Sequence, residues 1–339
     1  LEPVVDRVAI LAGDPDQGGA AGTPLQGQVL EVLGSLFKNY ADLYALRRHV
    51  EVVSGYMFKH MRSTRTELLA KSFKSVSAII RHCRFFKPSK EQASLLMSFV
   101  IQMLSERGRE AMGLRLFKSI VVKKLVLPEI YDAIKTAGKL MIQSRDKQVR
   151  RLSAELTLTF LIEYPMGEAR VRSHVNFVLN NLGYNQPDGR KAVIELLHQI
   201  VMKFPLPLIQ NIHELLFLKL VLRLGNDTDS TCRGMIVEVL TALFHKIAKG
   251  DTGKFRPGQL KCYAAYVHKW LTTPEGSLAL HSAAAQVCGL LAKACGHGAS
   301  MYTPQLLPPL LEKAAKLLPR RKKNSNKRSG GAEGEDEED

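Results

Sequence analysis

The chain has 339 residues, of which 45% are hydrophobic and 24% charged, and its formal net charge is +16. This composition excludes a disordered chain and predicts one large or two medium folded domains. The longest apolar runs, at 93–104 and 215–224, are interrupted by polar residues, so we expect no membrane-spanning segment. The five cysteines stand at irregular spacing, which argues against a disulfide framework and indicates reduced, intracellular thiols.

The positive charge is concentrated in one part of the chain. Residues 47–172 contain 25 Lys and Arg against 11 Asp and Glu, a net charge of +14, whereas residues 1–46 have a net charge of −4. A folded body this positive is expected to attract polyanions, of which nucleic acid is the commonest.

The first predicted region is a flexible segment over residues 1–27. It includes a stretch rich in Gly and Pro at 13–24, a composition typical of loops. The chain begins at Leu1 and has no basic leader followed by a short apolar core, so we expect no secretory signal.

The second predicted region is a helical repeat array over residues 28–318. Apolar residues recur there at i, i+3, i+4 and i+7 without sustained alternation, which predicts an all-α fold. An arginine near the start of a helix recurs every 40 to 44 residues, at Arg65, Arg109, Arg150, Arg190 and Arg233. A period of this length is typical of HEAT and armadillo repeats, so the sequence predicts an α-solenoid of about seven repeats.

Turns between the predicted helices have a recurring composition. Asp146-x-x-Val149-Arg150 and Asp229-x-x-Cys232-Arg233 are close to the Asp-x-x-Val-Arg turn of HEAT repeats. We expect the repeat arginines to pair with carboxylates of their own or the adjacent repeat, because the planar guanidinium suits such pairs. One helix is predicted to end at Tyr164-Pro165, since proline disfavours helical geometry in the residue before it.

No motif for catalysis or cofactor binding emerges. The stretch 250–255 resembles a phosphate-binding loop but lacks its glycine spacing and the Ser or Thr that binds magnesium. Cysteine and histidine residues at 262–297 lack the spacing of a zinc site. We therefore predict a protein that is not an enzyme, with no catalytic residues, no cofactor, no metal and no small-molecule substrate.

Basic residues outside the arginine register are the predicted contacts to RNA or to an acidic partner, because phosphate contacts need only charge along a surface. The alternative is a solvated rim without a partner, which is common for charged helix faces. The candidates are Arg47, Arg48, Lys59, Arg62, Arg81, Arg84, Lys87, Lys90, Arg115, Lys118, Lys123, Lys124, Arg145, Lys147 and Arg151.

The last predicted region, 319–339, is a disordered tail or linker that is first basic and then acidic. Its basic cluster, Arg320, Arg321, Lys322 and Lys323, is a candidate nuclear or nucleolar targeting signal. The alternative is a solvated linker or chain end.

Several motifs carry a resemblance to a known family. They are Phe58-Lys59-His60-Met61-Arg62, Leu127-Pro128-Glu129-Ile130-Tyr131-Asp132, Phe160-Leu161-Ile162-Glu163-Tyr164-Pro165-Met166-Gly167, Gly189-Arg190 with Lys203-Phe204-Pro205, and Asn226-Asp227 with Cys232. In this combination the chain resembles the U3 small nucleolar RNA-associated protein 20 family, also called down-regulated in metastasis. Members are far longer, so we expect a fragment or a shortened gene product.

The resemblance implies a function without catalysis. It implies a HEAT-repeat scaffold in the nucleolus that assembles the small-subunit processome and supports precursor rRNA processing. The implied partners are precursor ribosomal RNA or U3 small nucleolar RNA, together with processome proteins, and no membrane. The alternative is an importin-like transport adaptor, which the strong positive charge disfavours because such adaptors tend to be acidic on their inner surface.

Overall fold

The computed structural model describes residues 22–40, 44–250, 253 and 256–317. Every regular element in these ranges is helical, so the predicted all-α fold is confirmed. The chain divides into two compact units. Unit 1 ends at Leu260, and unit 2 begins at Lys261.

Unit 1 contains eleven of the described α-helices. In chain order they are α1 (Gly22–Asn39), α2 (Tyr44–His60), α3 (Thr66–His82), α4 (Lys90–Ser105), α5 (Glu110–Val122), α6 (Ile130–Gln143), α7 (Lys147–Glu163), α8 (Glu168–Asn180), α9 (Pro187–Lys203), α10 (Leu206–Asn226) and α11 (Ser230–Lys249). Two short 3₁₀ helices follow α8 and α11, at Asn181–Gly183 and Pro257–Leu260.

These helices form two layers. The odd-numbered helices from α1 to α11 contact one another in succession and form the odd layer; the even-numbered helices pack against them as the even layer. Large side chains such as Phe73, Phe117, Phe160 and Phe244 are completely or almost completely buried between them. Each buried phenylalanine contributes about 1.5–3 kcal/mol of transfer free energy, so stacking of neighbouring helix pairs stabilises the array. The predicted α-solenoid is confirmed.

The helix boundaries follow from capping residues. Asp146 accepts hydrogen bonds from the backbone N–H groups of Gln148 and Val149, and Asp229 accepts one from that of Cys232. A carboxylate in this position satisfies N–H groups that have no partner within the helix. The two predicted Asp-x-x-x-Arg turns are therefore helix N-termini, and α7 ends at Glu163, before the Tyr164-Pro165 pair.

The repeat arginines fold back onto their own turns. Arg150, Arg190 and Arg233 each donate from Nη1 to the backbone carbonyl six residues earlier, at 2.9, 3.0 and 2.7 Å. Arg190 also reaches Asp227 of the next repeat. The predicted arginine–carboxylate pairing is thus observed there, and in a longer form between Arg150 and Asp188 at 3.9 Å.

Asp227 is the most enclosed carboxylate in this series. Arg190 donates to both of its oxygens, at 2.8 and 3.0 Å, Arg223 donates at 2.7 Å, and the backbone N–H of Asp229 donates at 2.9 Å. The Asp227 side chain is fully buried, and that of Arg190 is 3% exposed. Burial by itself raises the pKa of Asp227, but the hydrogen bonds from both arginines outweigh burial and hold this pKa below its ordinary value.

A second set of bonds joins the other ends of neighbouring repeats. Lys123 donates to the carbonyl of Cys83 at 2.6 Å, and Tyr164 donates to that of Leu125 at 3.1 Å. Lys246 donates in the same way to three carbonyls at the end of α9. A cation beside the last carbonyls of a helix is favoured by the helix dipole. Each of these side chains ties one repeat to the preceding one.

Unit 2 contains α12 (Lys261–Thr272), α13 (Leu278–Cys295), a 3₁₀ helix (Gly296–Met301) and α14 (Thr303–Leu317). Ser277 caps α13 by accepting from the N–H of Leu280. With α12 to α14, the described residues hold fourteen α-helices, in agreement with about seven predicted helix pairs.

One finding in unit 2 bears on the expectation that no segment spans a membrane. The helical stretch Leu278–Met301 is long and apolar enough, by length and composition, to cross a membrane. Its small and apolar residues include Ala283, Ala284, Val287 and Leu291, which are buried within unit 2. Because a core helix of a soluble protein has the same composition, a single stretch of this kind is a weak indication of a membrane span.

Two region boundaries differ from the sequence prediction. The helix α1 begins at Gly22, so residues 22–27 of the predicted flexible segment are helical. Pro24 lies in its first turn, where the missing N–H of proline leaves no helical hydrogen bond unmade. The predicted single array over 28–318 contains two compact units. Residues 1–21 and the predicted tail, with the Arg320–Lys323 cluster, lie outside the described residues.

Candidate functional site

The predicted basic contacts lie on several different surfaces of unit 1. Arg81, Arg115, Lys118 and Arg151 are on helices of the odd layer, and Lys59 is on α2 of the even layer. The turns between layers carry the others: Arg62, Arg84, Lys87, Lys123, Lys124, Arg145 and the helix-initial Lys90 and Lys147. The side chains of Arg47 and Arg48 lie outside the described part. The structure therefore brings only part of this set together.

Some of these residues have partners that give them structural roles. Lys118 and Arg151 both bind Glu155, at 3.2 and 3.1 Å. Lys123 donates to carbonyls at the end of α3, and burial together with nearby Lys87 lowers its pKa. These charges are partly neutralised or used within the fold.

The remaining odd-layer cations surround a groove. It has a volume of about 580 Å³ and lies across α1, α3 and α5. We call it the α1–α3–α5 groove. Its lining residues are Glu31, Gly34, Ser35, Lys38, Ala70, Phe73, Lys74, Ser75, Ser77, Ala78, Arg81, His82, Met112 and Arg115.

Positive charge dominates this groove. Among the described residues, no carboxylate lies within 4 Å of the charged nitrogens of Lys38, Arg81 or Arg115. The single acidic lining residue, Glu31, is 4.0 Å from Lys74, and the two side chains are 44% and 79% exposed. A pair this exposed contributes little binding energy, so Lys74 can exchange its partner for an external anion.

The pKa of His82 reflects the same accumulation of positive charge. Burial lowers its pKa, and repulsion from Arg81 and Lys38 lowers it further. The imidazole is therefore neutral at pH 7, although a bound anion would favour its protonated form.

The floor of the groove consists of small residues for a structural reason. Ser75 donates to the carbonyl of Leu30 at 2.6 Å, which draws α3 against α1. A Cβ atom on Gly34 would lie 2.8 Å from Ser75 Oγ and 3.1 Å from Ser75 Cα, so this approach requires glycine. Close contact of the two helices leaves a shallow floor between cationic walls.

Two of the groove cations were missed by the sequence analysis. Lys38 lies in the segment that is acidic overall, and Lys74 belongs to no run of basic residues. A usable signal was present, because Lys74 and Arg81 are seven residues apart and so share one face of a helix.

Two observations bear on metal binding and on nucleophilic chemistry. Within the described ranges, no three His, Cys, Asp or Glu side chains come together as metal ligands. Burial raises the pKa of Cys288 and Cys295, which disfavours the thiolate needed for metal binding or nucleophilic attack.

Comparison with known proteins supports one family. A curated relative from Schizosaccharomyces pombe, named U3 small nucleolar RNA-associated protein 20, is 30% identical over 184 residues. These are 54% of this chain and 7% of the relative. The Saccharomyces cerevisiae protein of the same name is 30% identical over 210 residues, 62% of this chain and 8% of that protein.

The predicted resemblance to the U3 small nucleolar RNA-associated protein 20 family is confirmed. The chain spans less than a tenth of the length of these two relatives. No family model matches it. A solved structure of importin beta has a TM-score of 0.56 and 11% identity, and the match covers 94% of this chain and 40% of that one. This likeness shows the fold alone.

Proposed function

We propose that this chain is part of a non-enzymatic scaffold in ribosome biogenesis, located in the nucleolus. In this proposal it contributes to assembly of the small-subunit processome and to precursor rRNA processing. It does so by binding precursor ribosomal RNA, U3 small nucleolar RNA or assembly factors. The observation that carries the proposal is the 30% identity to two relatives whose names record association with U3 small nucleolar RNA.

The fold supports this function in general terms. A solenoid presents long surfaces built from successive repeats, and such surfaces serve binding. The basic lining of the α1–α3–α5 groove suits a polyanionic partner.

Crosslinking in cells tests the proposal. The tagged protein is crosslinked, and attached RNA is sequenced while crosslinked peptides from partner proteins are identified. We expect precursor rRNA or U3 small nucleolar RNA, or processome proteins, to be recovered above an unrelated solenoid of similar charge. Recovery of none of these would refute the proposed function.

A further inference from the structure

We propose that the α1–α3–α5 groove binds the phosphate backbone of a single-stranded RNA segment. This inference rests on the proposed function and deepens it, because it assigns the RNA contact to particular residues. Its main contacts are Lys38, Lys74, Arg81 and Arg115.

The first argument is the excess of available charge. Four cations line the groove against one carboxylate, and three of the four have no carboxylate partner within 4 Å among the described residues. The two arginines present planar guanidinium groups, which bind phosphate through paired hydrogen bonds. By contrast, Lys118 and Arg151 on the next part of the odd layer share Glu155. The groove cations are therefore more available to an external ligand than this neighbouring pair.

The second argument is the shape of the groove. It crosses three helices, and packed helices are about 8–10 Å apart, so it is roughly 16–20 Å long. A short stretch of a single strand fits this length. Double-stranded RNA is instead recognised over about 16 base pairs by proteins that contact two successive minor grooves. A crevice between adjacent helices suits the thinner ligand.

The third argument concerns what the groove lacks. Its only aromatic carbocycle, Phe73, is 1% exposed and lies beneath the floor, so it offers no surface for stacking a base. The floor residues Gly34, Ser35, Ala70, Ser77 and Ala78 are small. Binding should therefore depend on phosphate charge and be largely independent of base sequence.

The lining also favours RNA over an acidic peptide. None of the lining residues is Asn or Gln, whose side-chain amides could pair with both the N–H and C=O groups of a peptide backbone. The donors that the groove provides are charged, and the closely spaced phosphates of an RNA backbone satisfy them without any contact to a peptide backbone.

Fluorescence anisotropy with the full 339-residue protein tests this assignment. The probe is a labelled ten-residue oligouridylate, which has no secondary structure, titrated at several salt concentrations. Engagement of three or four phosphates predicts a slope of log K against log salt of about −2 to −3.

The groove variant combines Lys38→Gln, Arg81→Gln and Arg115→Gln. We expect its Kd to rise at least about tenfold at low salt and its salt slope to become less steep by about 2, because three phosphate contacts are lost. The matched control combines Lys139→Gln, Arg172→Gln and Lys203→Gln, which remove the same charge from exposed positions outside the groove. We expect this control to stay within about twofold of the wild type.

A second variant is expected to change the RNA affinity in the opposite direction. Glu31→Gln removes the only acidic side chain of the groove, and with it the repulsion between this carboxylate and a phosphate bound beside Lys74, so it should tighten RNA binding. Circular dichroism verifies that each variant is folded. If Glu31→Gln leaves the Kd unchanged while the groove variant weakens binding, direct phosphate contact at Lys74 is refuted.

The remaining outcomes separate the alternatives. Equal weakening in the groove and control variants would show a general charge effect and overturn the inference. Tighter binding of a poly-glutamate peptide or of duplex RNA than of oligouridylate would assign the groove to another ligand. If oligouridylate does not bind but cellular crosslinking recovers processome components, the inference fails and the proposed function stands. If oligouridylate binds in the groove but crosslinking recovers none of these components, only the proposed function is refuted.

Discussion

Replacement of Asp227 by alanine should destabilise unit 1 strongly. The substitution leaves the guanidinium of Arg190, which is 3% exposed, without the carboxylate that accepts two of its hydrogen bonds. Removing one partner of a buried ion pair costs about 3–5 kcal/mol, since the other charge remains buried and uncompensated. The backbone N–H of Asp229 and the side chain of Arg223 lose their acceptor as well.

A matched control exists in the preceding repeat. Asp188 lies 3.9 Å from Arg150, but its side chain is 71% exposed. Such pairs contribute about 0–1 kcal/mol, so Asp188→Ala should change stability by less than about 1 kcal/mol. Urea unfolding monitored by circular dichroism measures both variants. A repeat array can unfold in more than one step, so the transition that includes α9–α11 is the one compared.

The double variant Arg190→Met with Asp227→Ala sharpens this test. Because it removes the stranded charge, it should be more stable than the sum of the two single effects predicts. Additive effects, or a cost for Asp227→Ala no larger than for Asp188→Ala, would refute the argument from burial. Since the pKa of Asp227 is lowered in the folded state, the wild type keeps this stabilisation above about pH 4 and loses it as the pH falls through the folded-state pKa.

Three further predictions concern other parts of unit 1. Gly189→Ala should destabilise unit 1 by about 1–3 kcal/mol in a thermal melt, because the new Cβ would lie 2.7 Å from the carbonyl oxygen of Ile142. The control Gly234→Ala places its Cβ where no atom lies within 4 Å, so it should leave unit 1 unchanged or stabilise it by up to about 1 kcal/mol. Lys246→Met should cost about 1–2 kcal/mol in urea unfolding by removing a cation from the end of α9, and an unchanged midpoint would contradict that role. RNA affinity should rise as the pH falls through the pKa of His82, which burial, Arg81 and Lys38 hold below its ordinary value, because a bound phosphate favours the protonated imidazole. The variant His82→Asn should lose this dependence, and an unchanged pH profile in the variant would refute the prediction.

Much of the fold could be predicted from local sequence. The turn at Asp146-x-x-Val149-Arg150 contains its own cap, its first buried residue and the arginine that binds the turn, all within five positions. Tyr164-Pro165 likewise ends a helix by steric restriction of adjacent residues. Interactions between residues this close in sequence are encoded by short motifs, so periodicity and turn composition were sufficient to predict these helix boundaries.

The groove could not be predicted in the same way. Lys38, Arg81 and Arg115 belong to three helices, and their proximity depends on the register in which α1, α3 and α5 stack. That register depends on contacts such as the Ser75 hydrogen bond to Leu30 and the close approach at Gly34, neither of which has a sequence signature. The basic residue count indicated residues 47–172, but it could not distinguish Arg115 from Lys118, whose charge is partly neutralised by Glu155.

The bonds that join neighbouring repeats differ along the array, and so should the mobility of the repeats. The joint at α9–α11 contains the buried Arg190–Asp227 pair, in which two hydrogen bonds join the side chains. The helices α1 and α3 are joined by the exposed Lys74–Glu31 pair, by the single buried hydrogen bond from Ser75 to Leu30 and by contacts of small residues. Amide hydrogen exchange should therefore be slowest around α9 to α11 and faster toward α1, since local opening is easiest where fewer buried bonds must break. The groove lies at the end of the array where local opening is easier. A bound RNA strand that contacts all three of its helices should therefore slow amide exchange in α1, α3 and α5 and leave exchange in α9 to α11 unchanged.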